Sequence, residues 1–145
     1  MEFIENFKNY SIKCLKNYVG FSGRARRSEF WYFTLFCVAV GIVAALLDNI
    51  FGFGSRSTVT MFEAGSSFEY SYSPGVFGSL ASLGLFLPGL AVSFRRLHDI
   101  GKSGAWVLIN LIPFVGTIIF IYFAAKDSHP GENQYGANPK EITTL

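Results

Sequence analysis

FWYFTLFCVAVGIVAALL, residues 30–47, is a run of 18 residues without a charge. A helix rising about 1.5 Å per residue needs about 20 apolar residues to cross roughly 30 Å of hydrocarbon, with a working range of about 17–25. With its flanks added the run meets that requirement. Trp31 and Tyr32 suit headgroup level at one end, and a glycine-containing turn at residues 52–54 follows the other. A span over residues 29–49 is expected.

Two more uncharged runs lie downstream, from Tyr70 to Phe94 and from Ser103 to Ala125. The polar start of the first, Tyr70 to Ser73, moves the expected helix start to Pro74, because proline is tolerated in a first turn. That gives a second span over 74–94. The other run predicts a third span over 104–125, kinked near Leu111, since Pro113 removes a backbone donor and clashes with the preceding turn.

Composition points the same way. Half of the 145 residues are hydrophobic and only 15% are charged, against about 25% in an average globular chain. With 16 Phe, 7 Tyr and a mean hydropathy of +0.34, the chain is neither disordered nor an ordinary soluble domain. Burying three such runs as soluble core helices would need more covering chain than 145 residues supply. The first run starts after a long charged segment and lacks a small-residue cleavage pattern, so it is expected to be retained rather than removed as a signal peptide.

Residues 2–20 place Phe3, Phe7, Tyr10, Cys14, Leu15 and Tyr18 at spacings of three and four, with Lys8, Lys13 and Lys16 largely on other faces. This pattern predicts an amphipathic helix, lying on anionic lipid or packing its apolar face onto the chain's own spans. The expected fold is therefore an all-α integral membrane protein, with three transmembrane helices preceded by an N-terminal amphipathic interfacial helix. Its parts are a cytoplasmic segment 1–28, a membrane domain 29–125 with an external loop 50–73, and a polar tail 126–145. The Ser-rich loop alternates polar and apolar residues in places, which allows a short hairpin.

Basic residues set the orientation. Lys8, Lys13, Lys16, Arg24, Arg26, Arg27, Arg95, Arg96 and Lys102 fall on one side of the expected spans, leaving Arg56, Lys126 and Lys140 on the other. The positive-inside rule puts the nine in the cytoplasm, and the third span then makes the tail external.

Three clusters carry the remaining polar chemistry: Gly20-Phe21-Ser22-Gly23-Arg24-Ala25-Arg26-Arg27-Ser28-Glu29-Phe30-Trp31, Phe94-Arg95-Arg96-Leu97-His98-Asp99-Ile100-Gly101-Lys102-Ser103-Gly104, and Pro130-Gly131-Glu132-Asn133-Gln134-Tyr135-Gly136-Ala137-Asn138-Pro139. In order and spacing they closely resemble the bacterial inner-membrane family called domain of unknown function 805, over roughly residues 15–140. The resemblance implies a small multi-pass protein of the bacterial cytoplasmic membrane and carries no biochemical activity with it.

The residues themselves suggest two uses for the clusters. A charge near the membrane is costly unless paired or snorkelled, so Glu29 is expected to pair with Arg95 or Arg96, and Asp99 with Arg24, Arg26 or Arg27. Alternatively Arg24, Arg26, Arg27, Arg95, Arg96 and Lys102 form a site for lipid headgroups or other anions, since guanidinium forks match phosphate oxygens. His98 invites a relay reading with Asp99, but adjacent helical residues point about 100° apart. Asp48, at the end of the first span, either lines a polar path or caps the interface. Gly101-Lys102-Ser103 lacks the upstream glycines of a phosphate loop and reads as a tight turn.

No nucleophile motif accompanies these residues. His98 and His129 fall on opposite sides of the expected membrane, and Cys14 and Cys37 have no CxxC spacing. Neither a metal, a cofactor nor a nucleic-acid partner is expected. Small residues recur in the spans (Gly41 with Ala45, Gly78 with Ala81 and Ser82, Gly84, and Gly89 with Ser93), which suits close helix packing within one chain or between copies.

The leading expectation is a non-enzymatic homo-oligomer that binds anionic lipid or a membrane-protein partner through its arginine-rich cytoplasmic face. The alternatives are an oligomeric pore or transporter using Asp48, and a lipid-phosphate enzyme using His98 and Asp99.

Overall fold

A computed structural model describes residues 1–53 and 75–141 of the chain. Among them every regular element is helical: α1 Glu2–Lys16, α2 Arg27–Ile50, α3 Val76–Asp99, a 3-10 helix Gly104–Leu111 and α4 Val115–Ala125. Most of the Ser-rich loop, with its expected hairpin, lies outside the described residues.

α2 and α3 are each 24 residues long and apolar enough to cross a bilayer, with mean hydropathies of 2.3 and 1.7 over their most apolar windows. Only 17% of each window is buried within the chain. A core helix of a soluble protein would hide most of its apolar face, so these helices suit a hydrocarbon surround. α2 runs past both expected ends and α3 past its C-terminal one. α3 continues five residues beyond Phe94, through Arg95, Arg96 and Asp99, because those charges are paired inside the protein and have no need of water.

The chain divides into two units, Val38–Gly84 and the remainder. In the first, Asp48 in the last turn of α2 caps the start of α3. Its Oδ1 accepts from Phe77 N at 2.9 Å and its Oδ2 from Gly78 N at 2.8 Å. These are orphan first-turn donors, and a carboxylate there also opposes the positive end of the helix. Gly75 is required beside it, because a Cβ would sit 2.2 Å from the Asp48 carboxyl carbon. Asp48→Ala is expected to cost about 0.5–2 kcal/mol, within the range for a lost N-cap, measured by denaturant unfolding in micelles.

In the other unit, α1 lies against the first half of α2. Phe3 and Tyr10 meet Tyr32, each at 5.5 Å between ring centroids, and Phe7 meets Phe36 at 6.2 Å. Ser11 and Cys14 are buried on the same face. Phe3, Ile4 and Leu15 nonetheless stay exposed, so α1 divides its apolar surface between α2 and its surroundings.

The third apolar run is not one helix. A 3-10 helix and α4 are separated at Ile112–Phe114, and the chain reverses there. Val115 N donates to Pro113 O at 2.7 Å across Phe114, whose φ of 60° and ψ of −63° form the rare γ-turn of positive φ. Gly116 lets the two arms cross closely, since a Cβ there would lie 1.7 Å from Ile109 O. At the base, Trp106 packs edge-on against Phe123 at 5.6 Å, with Lys102 Nζ 4.8 Å from both rings. The expected kink near Leu111 is thus a full reversal, and the expected continuous span over 104–125 is corrected to a hairpin.

The placement of the tail changes with it. His129 N donates to Asp99 O at 2.9 Å, and Asn133 Nδ2 to His98 O at 2.9 Å. The tail therefore lies on the same side as residues 24–29 and 95–102, which corrects the external tail. His98 and His129 are on one side, not opposite sides.

Candidate functional site

Two buried carboxylates organise the polar end of this unit. The first is Glu29, fully buried in the opening turn of α2. Its Oε1 accepts from Arg95 Nη1 at 2.6 Å and its Oε2 from Lys13 Nζ at 2.7 Å, so one side chain ties α1, α2 and α3 together. Cys14 Sγ completes the cluster, 3.8 Å from Glu29 Oε1 and 3.9 Å from Arg95 Nη2.

Burial, and then the neighbouring Glu29 charge, pushes the Cys14 thiol up to about 12. At pH 8 the thiolate is then about one part in ten thousand, so a membrane-permeant maleimide is expected to leave Cys14 unmodified in the folded protein; rapid labelling there would contradict the buried cluster. The stability consequence has a definite sign. The unfolded thiol ionises around its ordinary value of 9.0 and the folded one only near 12, so stability is complete below 9.0 and declines as pH rises through that window.

The second carboxylate is Asp99, also fully buried, at the last residue of α3. Its Oδ1 accepts from Arg24 Nε at 3.0 Å, and its Oδ2 from Ser128 Oγ at 2.6 Å and from Arg96 Nη1. With two guanidinium groups on one carboxylate, the surplus charge falls to backbone carbonyls. Arg24 reaches Gly131 O and His129 O, each at 2.7 Å, Gly136 O at 3.2 Å and Asp99 O at 3.3 Å. Arg96 Nε donates to Ala124 O at 3.0 Å and Nη2 to Lys126 O, which closes the C-terminal end of α4 where a cation is favoured.

Arg24, Arg95 and Arg96 are thus buried and turned inward, which corrects the picture of an open face built from all the arginines. Arg27 is exposed, and its Nη1 lies 3.4 Å from Ala125 O. Arg26 is half-buried on the same segment, and Lys102 is engaged by the Trp106 and Phe123 rings. Both Asp48 oxygens accept from the first turn of α3, the capping role of the two that its place in the sequence allowed.

His98 sits in an open cleft of about 640 Å³ lined by Phe21, Ser22, Phe94, Ser103, Gln134 and Tyr135 among others, residues drawn from all three sequence clusters. Its Nδ1 is 3.2 Å from Gly23 O, a group that only accepts, so Nδ1 carries the proton. Tyr135 stacks on the ring at 3.8 Å with 2° between planes. The Asp99 carboxylate is spent on Arg24, Arg96 and Ser128, so the geometry makes no His98–Asp99 dyad.

Sequence reasoning missed Lys13, Cys14, Ser128 and the tail carbonyls as members of these networks. Cys14 had a signal, since it lies on the apolar face of α1. The carbonyls had none, because a backbone acceptor carries no side-chain signature.

Together these features define a small helical membrane protein in which Arg24, Glu29, Arg95, Arg96 and Asp99 are buried charges gathered at one end of their unit. The chain belongs to the family described as protein of unknown function (DUF805), whose pattern matches residues 18–137. It is 41% identical to the Escherichia coli (strain K12) inner membrane protein YhaH over 132 residues, covering 91% of this chain and 97% of that one. It is 40% identical to the inner membrane protein YhaI of the same strain over 129 residues, covering 89% and 93%. No solved structure matches. The protein is a bacterial inner-membrane protein of this family.

Proposed function

We propose that the protein is a non-enzymatic, homo-oligomeric component of the inner membrane that holds anionic lipid headgroups at its cytoplasmic face. The observation that carries this reading is the return of the tail. With Lys126 and Lys140 on the side of the other nine basic residues, all eleven of the described basic residues share one face, and the twelfth, Arg56, lies outside the described residues. By the positive-inside rule that face is cytoplasmic.

The cations that serve lipid are those the internal networks do not consume. Lys8 and Lys16 on α1, Arg27 at the start of α2 and Lys126 after α4 are exposed. Each is worth about 1 kcal/mol near an anionic surface. The exposed Phe3, Ile4 and Leu15 give α1 an apolar edge for the same interface. Self-association is supported by Gly41 and Gly89, at which an added Cβ would meet no atom of the described residues within 4 Å, leaving room for close helix approach between copies.

The test is native mass spectrometry of the protein released from vesicles of mixed phosphatidylglycerol and phosphatidylcholine. Wild type is expected to retain phosphatidylglycerol selectively, and the Lys8→Ala, Lys16→Ala, Arg27→Ala, Lys126→Ala variant to retain at least about tenfold less, given about 1 kcal/mol per cation. Equal retention by both would remove the reading.

A further inference from the structure

We propose that residues 104–125 form a hairpin that enters the cytoplasmic leaflet, reaches about the bilayer mid-plane and returns, with lipid hydrocarbon around its tip. The inward orientation rests on the reading above, whereas the depth of insertion stands on separate observations.

Both ends of the hairpin are fixed to the same polar cluster. Lys102 N donates to Leu97 O at 2.9 Å just before it, and Arg96 holds Ala124 O and Lys126 O at its end. A segment that leaves and rejoins one face does not cross. Its two arms also match in length: eight residues of 3-10 helix rise about 16 Å, and eleven residues of α-helix about 16 Å. Either is about half of a 30 Å hydrocarbon core, too short to span and long enough to reach the middle.

The tip has the surface that such an environment requires. Leu111 is 79% exposed, Phe114 85% and Ile118 67%, with Ile112 and Val115 also exposed. Set in water, these five contiguous or near-contiguous apolar side chains would form a costly patch. No charged residue lies between Lys102 and Lys126, and the one amide, Asn110, turns its Nδ2 back to Val107 O at 3.0 Å. Backbone away from regular helix at this depth needs internal partners, and the reversal supplies them: Val115 N to Pro113 O, Gly116 N to Ile112 O at 3.0 Å and Ile118 N to Phe114 O at 3.0 Å. The hairpin is thereby a wedge that adds volume to one leaflet only.

The experiment places a single tryptophan at the tip, Phe114→Trp, in full-length protein with Trp31→Phe and Trp106→Phe, reconstituted in vesicles whose lipids carry bromine at defined acyl depths. A second version, Ile118→Trp, guards against a folding defect at the turn. Accessibility of a cysteine placed at Glu132 to an impermeant maleimide is read in parallel on right-side-out spheroplasts. Quenching greatest with the deepest bromines, about twofold over the shallowest as mid-plane insertion implies, with Glu132→Cys protected until lysis, is the expected result. A tail labelled from outside while a cysteine placed at Lys8 stays protected would overturn the proposal in favour of a crossing segment. Tip tryptophans quenched at no depth would overturn the lipid occupant and point to a second copy covering the tip. Deep quenching with Glu132→Cys and Lys8→Cys both labelled from outside would retain the hairpin and refute only the inward orientation.

Discussion

Asp99→Ala is expected to destabilise the protein by about 3–5 kcal/mol, the cost of removing one partner from a buried ion pair. The carboxylate neutralises Arg24 and Arg96 together, and both guanidinium groups remain buried after its loss. Ser128 loses its acceptor at the same time, so the tail loosens with the helix end. The smaller effect of Asp99→Asn would separate charge from hydrogen bonding, since the amide still accepts from one donor. Denaturant unfolding in micelles reads both, and a loss below about 1 kcal/mol, the level of exposed pairs, would show that the pairing is at the surface. Glu29→Ala is expected to follow the same logic with a smaller loss, because Arg95 Nε has no hydrogen-bond partner among the described residues even in the intact cluster, which makes that site less completely satisfied.

Gly116→Val is expected to cost about 1–3 kcal/mol or more, as forced overpacking does, and to open the hairpin. The obstacle is backbone: the added Cβ would lie 1.7 Å from Ile109 O and 2.7 Å from its carbonyl carbon. Ile109 O is itself bonded to Ile112 N at 3.0 Å and cannot swing aside without undoing the turn. Separation of the arms would draw Trp106 away from Phe123 and Lys102. In protein carrying Trp31→Phe, the emission of Trp106 is the readout, with a shift on Gly116→Val expected and an unchanged spectrum counting against the crossing.

The two long helices were legible in the sequence because hydrocarbon imposes one simple rule, an uncharged run of sufficient length. The reversal at Phe114 was half legible. Pro113 and Gly116 marked the place, but a kink and a γ-turn share that signal, and the choice between them depends on where Ala124 and Lys126 find partners. That partner is Arg96, 28 residues upstream of Ala124, a distance at which local patterning is silent. The expected helix start at Pro74 lies outside the described residues, and the cap of α3, which comes from Asp48 on another element, had no local signal. Among the candidate site residues, the sequence exposed charges that need partners and hid how they share them: Asp99 serves two arginines, while Arg24 spends most of its donors on tail carbonyls.

The charges at this face are structural ties between the 20–29 segment, the end of α3 and the tail. A double-mutant cycle between Arg24→Met and Asp99→Asn in denaturant unfolding measures the strength of one such tie. A coupling energy of about 1.5 kcal/mol or more, as expected for close buried charges, is the predicted result. Additive losses, within about 0.5 kcal/mol of the sum of the single variants, would mean that the two side chains do not meet and would contradict the account.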